Sequence, residues 1–322
     1  MPTTPPPAEQ KIIMKLPKKY ILPNPFSLST YGHDDGQVYK DIISLNGANP
    51  NASAFFPSNQ ITKHCTILDP VTFDISKVIM SDPETHISAG ISMQESAIDI
   101  LTQGIQDKNF ELFVIGGDHT ISIGTGAYLS KVLDMSKVGL IWIDAHGDFN
   151  TSDTSSSKSL TGYPCAINCG LGDEYFTKHF NNNFLTKCVQ IGIRDIDQLE
   201  HDNMVSKNIK TYSNTDVEHL GLKTILDSTL KYFEDMDHIW LSIDIDSLDP
   251  IYCDQGRTDV PVCGGLTPRE LQYITTYIKN SGKLKITELV QINNTTNNFN
   301  LVSLGNRLVE IAMGLGSFRT NL

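Results

Sequence analysis

A chain of 322 residues can bury a core large enough to fold without crosslinks. With 39% hydrophobic and 19% charged residues, its composition is that of an ordinary soluble globular protein. A formal charge of -12 argues against nucleic acid or an anionic membrane as partner, since both demand a positive surface, and suits a cationic substrate.

In chain order, "TTPPP", "LPKK" and "LPNPF" mark residues 1–25 as an irregular N-terminal arm ahead of a single domain over 26–322. The opening has no apolar signal-peptide core, and no stretch approaches about 18 consecutive apolar residues, so a standard secretory signal and a membrane span are not expected. Apolar runs of strand length then recur: "LFVIGG" (112–117), "VGLIWID" (138–144), "CVQIGIRD" (188–195), "HIWLSIDID" (238–246) and "LKITELVQI" (284–292). Segments with helical apolar spacing fill the gaps, among them 93–105, 122–135, 222–235 and 267–280. The last opens with Thr267 as N-cap, Pro268 at the first helical position and Glu270 three residues after the cap, a capping box. Strands alternating with helices predict an α/β fold, a mostly parallel sheet covered on both faces. The six cysteines include no C-x-x-C pair and read as reduced thiols of a cytoplasmic protein, and the N-x-S/T matches at Asn51 and Asn294 read as chance.

Several of these runs end abruptly in acidic or histidine residues: "GGDHT" (116–120), "DAHGD" (144–148) and "SIDIDSLDP" (242–250). Ligands of open parallel sheets bind outside the carboxyl ends of the strands, where these clusters fall. Residues at i and i+2 of an extended segment project to one side, so Asp144 and His146, or Asp244 and Asp246, can each reach a common point. Gathering His119, Asp144, His146, Asp148, Asp244 and Asp246 in one place piles up four carboxylates that repel one another without compensation. Two divalent cations supply it, and this oxygen-rich set favours Mn2+ over thiolate-seeking metals.

In order and spacing the three clusters resemble the signatures of the ureohydrolase family, the arginases and agmatinases, over roughly residues 110–320, and "DAHGDFNT" with "SSS" and "GYP" is most similar to the arginases. The resemblance implies a three-layer α-β-α fold, two Mn2+ per subunit, a homotrimer or homohexamer, and hydrolysis of L-arginine to urea and L-ornithine by a hydroxide bridging the metals. It implies one metal on His119, Asp144, Asp148 and Asp244, and the other on Asp144, His146, Asp244 and Asp246. It assigns Asp148 to proton delivery, Asn150, Ser155 and Ser157 to a substrate α-carboxylate, Asp197 with Glu200 to its α-amino group, and Glu288 to the guanidinium. Asp118 would support the metal histidine, and Asp249 with Pro250 would shape a turn.

The sequence departs from the arginase pattern at Thr161, where a loop histidine that moves protons is expected; threonine cannot titrate near neutral pH. Lys158 stands where glycine is usual, "IYCDQGRTDVPVCGG" is longer than the usual stretch, and the N-terminal third lacks "GxxxGP". Two alternatives follow: the same chemistry on another guanidino or formimidoyl compound such as agmatine or guanidinobutyrate, or a metal-binding paralogue weakened by Thr161.

Overall fold

A computed structural model describes residues 16–23, 58–71, 83–253, 261–292 and 299–315 of the chain. In chain order its strands are β1 (Lys18–Pro23), β2 (Thr66–Ile67), β3 (Phe110–Ile115), β4 (Val138–Ile143), β5 (Lys187–Ile193), β6 (Lys210–Ser213), β7 (His238–Asp244) and β8 (Leu284–Val290). They form one eight-stranded sheet in the order β2-β1-β3-β8-β7-β4-β5-β6, with every neighbouring pair parallel. The mostly parallel sheet expected from the sequence is thus parallel throughout.

The apolar runs are nearly continuous because both faces of the sheet are covered. Along β4, Leu140 and Trp142 point into one core while Ile141 and Ile143 point into the other. The longer helices are α1 (Pro83–Gly104), α2 (Ile121–Val132), α3 (Gln198–Ser206), α4 (Asn214–Leu220), α5 (Leu222–Tyr232), α6 (Pro268–Asn280) and α7 (Phe299–Ala312). Met93, Ala97 and Leu101 of α1, with Ile121, Ala127 and Leu129 of α2, close the first core. Ile225 of α5, Leu271 and Ile274 of α6, and Leu304 and Leu308 of α7 close the second, which completes three layers. The capping box of α6 is formed: Glu270 N–H donates to Thr267 Oγ1, and Thr267 N–H donates to Glu270 Oε2 at 2.8 Å.

One expectation is corrected within the 1–25 arm. Residues 18–23 are strand β1, paired with β2 and β3, and Tyr20, Ile21 and Leu22 are buried. Two prolines obscure a short "YIL" segment that the core nonetheless captures. The rest of the arm, apart from 16–17, lies outside the described residues, as do Asn51, Asn294 and positions 254–260 of the long loop.

Because all strands run the same way, the loops after β3, β4, β5, β7 and β8 share one edge. From β3 the chain enters α2 and then crosses to β4, with β8 and β7 between them in the sheet. Helix α2 must sit close on α1 for this: a methyl at Gly124 would lie 2.7 Å from Ala97 Cβ.

Candidate metal centre

His119 leads into α2 from the carboxyl end of β3, Asp144 follows the last residue of β4, and Asp244 ends β7. Nδ1 of His119 lies 3.0 Å from Asp144 Oδ2, 3.2 Å from Asp244 Oδ2 and 3.3 Å from Asp148 Oδ2. Nδ1 of His146 lies 3.0 Å from Asp246 Oδ2 and 3.5 Å from Asp144 Oδ1. All six predicted ligands therefore converge. Five of them form two overlapping groups, His119 with Asp144 and Asp148, and Asp144 with His146 and Asp246, and Asp244 joins through its approach to His119. Asp144 belongs to both, presenting a different oxygen to each imidazole.

Local backbone chemistry aims these groups. His146 N–H donates to Asp144 Oδ1 and Asp246 N–H donates to Asp244 Oδ1, each at 2.8 Å, so each carboxylate is clamped by the residue two positions on. Trp142 Nε1 donates to Asp144 Oδ2 at 3.0 Å, and its indole stacks on the His119 ring at 3.9 Å. Asp148 reaches the cluster from a left-handed backbone, φ 48°, a conformation that costs a non-glycine residue energy and is retained where function demands it.

Electrostatics and hydrogen bonding both fit a cation. Nδ1 of His119 is buried, yet no neighbour is aligned to share a hydrogen with it, so it stands as a donor atom among carboxylate oxygens. Burial disfavours a charged imidazole, but Asp144, Asp148 and Asp244 outweigh it and hold His119 well above its ordinary value. His146 is likewise pushed up to about 12, with Asp246 and Asp144 overcoming burial. Burial and the Asp144 charge raise Asp148 to about 7; burial and carboxylate neighbours also raise Asp244 and Asp246. Against its burial, Asp144 is drawn below the carboxylate range by the two imidazoles. The cluster thus takes up protons to offset its negative charge, a task that a divalent cation would perform.

Glu288, expected to grip a guanidinium, does not line the cleft. It is fully buried within β8, where Ser122 Oγ donates to its Oε2 at 2.7 Å and Ser242 Oγ at 2.9 Å. Ser242 spends its one hydrogen on Glu288, so its oxygen accepts from His119 Nε2–H at 2.9 Å. That places a hydrogen on Nε2, so that whenever the ring is neutral, as it must be to bind a cation, the lone pair is on Nδ1, toward the carboxylates. Glu288 and Ser242 therefore fix the tautomer of a candidate metal ligand. The residue at the carboxyl end of β8 that does line the cleft is Gln291, at φ 62° with its N–H on the Gly117 carbonyl. The rule that located the metal clusters, polar residues just past an apolar run, would have found it.

Above the cluster lies a cleft of about 280 Å³. Asn150, Ser155, Ser157, Thr161, Asp197 and Glu200 all line it. Ser155 Oγ takes the Lys158 N–H at 3.0 Å, Ser157 Oγ takes the Ser159 N–H at 3.2 Å, and Thr161 Oγ1 stands 2.9 Å from Ser159 Oγ. Lys158 turns its ammonium onto the Ser152 carbonyl and is not part of the lining. Asp197 caps α3 through Glu200 N–H and faces Asn150 Nδ2 at 3.4 Å. Burial raises Glu200 to about 8, although it accepts Phe149 N–H at 2.8 Å, a bond that ties it to the metal loop. Arg194 is a second residue that sequence reasoning missed. Its guanidinium is held by the carbonyls of Asp246, Ser247, Leu248 and Val262, which pins the loop after β7 beside β5. Asp249 shapes the turn as expected, accepting Gly264 N–H at 2.7 Å and Ile251 N–H at 3.1 Å. Asp118 Oδ1 accepts Thr120 N–H at 2.9 Å and shapes the approach to α2.

The sequence model described as Arginase family matches residues 58–313. The chain belongs to the arginase family. It is 34% identical over 197 residues to an arginase of Staphylococcus aureus, covering 60% of this chain and 63% of that protein, just under two thirds of its length. It is 31% identical over 233 residues to an arginase of Bacillus subtilis, covering 70% of this chain and 76% of the relative. Among solved structures, the arginase of Bacillus caldovelox superposes with a TM-score of 0.76 at 25% identity, covering 94% of this chain and 99% of that one. Membership in this family accounts for the three-layer fold and identifies the chain as a ureohydrolase-type hydrolase, whose His/Asp cluster could hold a metal ion.

Proposed function

We propose that the chain is a dimanganese hydrolase that attacks the amidine carbon of an amino-acid substrate, with L-arginine, cleaved to urea and L-ornithine, as the first candidate. The observation that carries the reading is Asp144, whose two oxygens face two different imidazoles at the floor of one cleft. His119, Asp148 and Asp244 would hold one ion with it, and His146, Asp244 and Asp246 the other. Such an ion pair supplies a water nucleophile that is active at neutral pH. The chain's own residues do the rest. Asn150, Ser155 and Ser157 offer neutral donors to an α-carboxylate without competing for the cations. Asp197 offers charge to an α-ammonium. Asp148, projecting into the cleft, takes a proton and delivers it to the leaving amine.

A second reading is favoured by Gln291 and Thr161 together. A carboxylate can pair with a guanidinium through two charge-assisted hydrogen bonds, whereas a carboxamide offers one acceptor and no charge. Gln291 therefore suits a less basic amidine, such as a formimidoyl amino acid, and Thr161 cannot act as a titrating shuttle. Assaying urea release from arginine, agmatine and guanidinobutyrate, and amine release from a formimidoyl amino acid, separates the readings. The first predicts urea from arginine above all; activity confined to the formimidoyl substrate establishes the second, and no turnover of any of them refutes both. Thr161→His is expected to raise arginine turnover, and an unchanged rate would show that the loop uses another proton route. The proposal extends to a homotrimer or homohexamer acting in the cytoplasm on this small substrate, which light scattering tests as to assembly.

A further inference from the structure

The sequence scatters its cysteines, but the fold brings three of them to one point. Cys165 lies in the short helix Pro164–Asn168, Cys169 caps it one turn later, and Cys188 is the second residue of β5. Their sulfurs all fall within 4.8 Å of one another, and Cys165 Sγ stands 3.8 Å from Cys188 Sγ. Two thiolates sharing a tetrahedral zinc ion at about 2.3 Å are themselves about 3.8 Å apart, so Cys165 and Cys188 stand at the spacing of two ligands around a cation. We propose that Cys165, Cys169 and Cys188 form a buried thiolate site for a divalent d10 cation such as Zn2+, separate from the His/Asp centre.

Three features support the site. All three side chains are buried and converge on each other, whereas among the described residues Cys65, Cys253 and Cys263 belong to no such group. Hydrogen bonds from Cys165, then Cys188, draw the Cys169 thiol well below its ordinary range, while burial pushes the Cys165 and Cys188 thiols well above theirs, so the group shares one negative charge and a cation would have to displace the remaining protons. Charge also balances. Three thiolates and a divalent ion leave one negative charge, and Lys207, whose ammonium sits on the Gly170 carbonyl at 3.2 Å, lies close enough to Cys169 to favour its thiolate. Soft sulfur ligands select zinc-like ions and reject Mn2+, so the two centres would sort their metals by ligand chemistry.

The site lies directly behind the metal loop. Cys165 and Ala166 N–H groups both donate to the Asp148 carbonyl, at 3.1 and 3.2 Å. Gln190 Nε2 donates to the Gly147 carbonyl at 2.6 Å and approaches Cys165 Sγ at 3.7 Å. An ion bound by Cys165 would stiffen the segment that carries Asp148.

The test is zinc X-ray absorption on the reduced, manganese-loaded full chain equilibrated with one equivalent of Zn2+. The expected result is a Zn–S shell at about 2.3 Å, lost in both Cys169→Ala and Cys188→Ala and kept in Cys263→Ala. Thermal melting of the metal-free variants verifies that they fold. Where one of them fails to fold, Cys165→Ala or Cys165→Ser takes its place. A spectrum showing only nitrogen and oxygen ligands, or a sulfur shell that survives both substitutions, overturns the proposal.

Discussion

At the scale of single residues, the arrangement around His119 turns a buried acid into a positioning device. Glu288 fixes the hydrogen of Ser242, and Ser242 fixes the tautomer of the imidazole. Ser242→Ala should leave the fold intact, since Ser122 still binds Glu288, and should weaken Mn2+ binding by about 10–100-fold, the usual effect of removing a ligand's orienting partner. Calorimetric titration checks this; unaltered affinity would mean that the ring is held by its stack on Trp142 alone. Under the proposed function, Gln291 is the cleft residue that would meet the substrate's head group. Gln291→Glu should raise kcat/KM for arginine by roughly 10–100-fold, the worth of a charge-assisted pair over a neutral one. A fall in arginine turnover would place the guanidinium elsewhere in the cleft. Much of the site was legible because metal ligands need particular atoms at particular spacings, and His119, "DAHGD" and "DID" advertise them. Glu288 was misread because a carboxylate near a strand end looks the same in sequence whether it faces the cleft or the core. Its partners Ser122 and Ser242 come from α2 and β7, and no local pattern reveals them.

At the scale of elements, the loop after β4 carries the strain and the charge of the site. Asp148 holds a left-handed backbone there, and Glu200 from α3 ties down Phe149. In the metal-free protein Asp148 is raised to about 7 and Glu200 to about 8, so the folded state keeps protons that the unfolded chain has already released above the ordinary carboxyl range. Stability must then fall as pH rises through that interval. His146, raised to about 12, adds stability that is full below its ordinary value of 6.5 and declines above it, the same direction. Melting of the metal-free chain should thus drop from about pH 5 to about pH 8, and saturating Mn2+ should remove or reverse the trend, because cations bind the deprotonated ligands. A metal-free melting temperature that climbs over this range would contradict the assignment. The strand at 18–23 shows why element reading also fails locally: "YIL" is too short to stand out, and only the partners β2 and β3 make it a strand.

At the scale of the whole molecule, the parallel sheet does the gathering. Residues more than 100 positions apart, such as His119 and Asp244, meet because β3, β7 and β4 end at one edge, with Arg194 locking the loop after β7 in place. That convergence was readable from alternating strand and helix patterns, since parallel strands must deliver their carboxyl ends together. The cysteine group was not, because Cys165 and Cys188 become neighbours only through packing of the short helix on β5. In the proposed function Asp144 serves two cations at once. Manganese content of the exhaustively dialysed chain, compared with Asp144→Asn, tests it most directly. Two ions per chain are expected in the native protein, with both lost in the variant; a single ion, or two retained without the Asp144 carboxylate, would show that Asp144 does not join two metals.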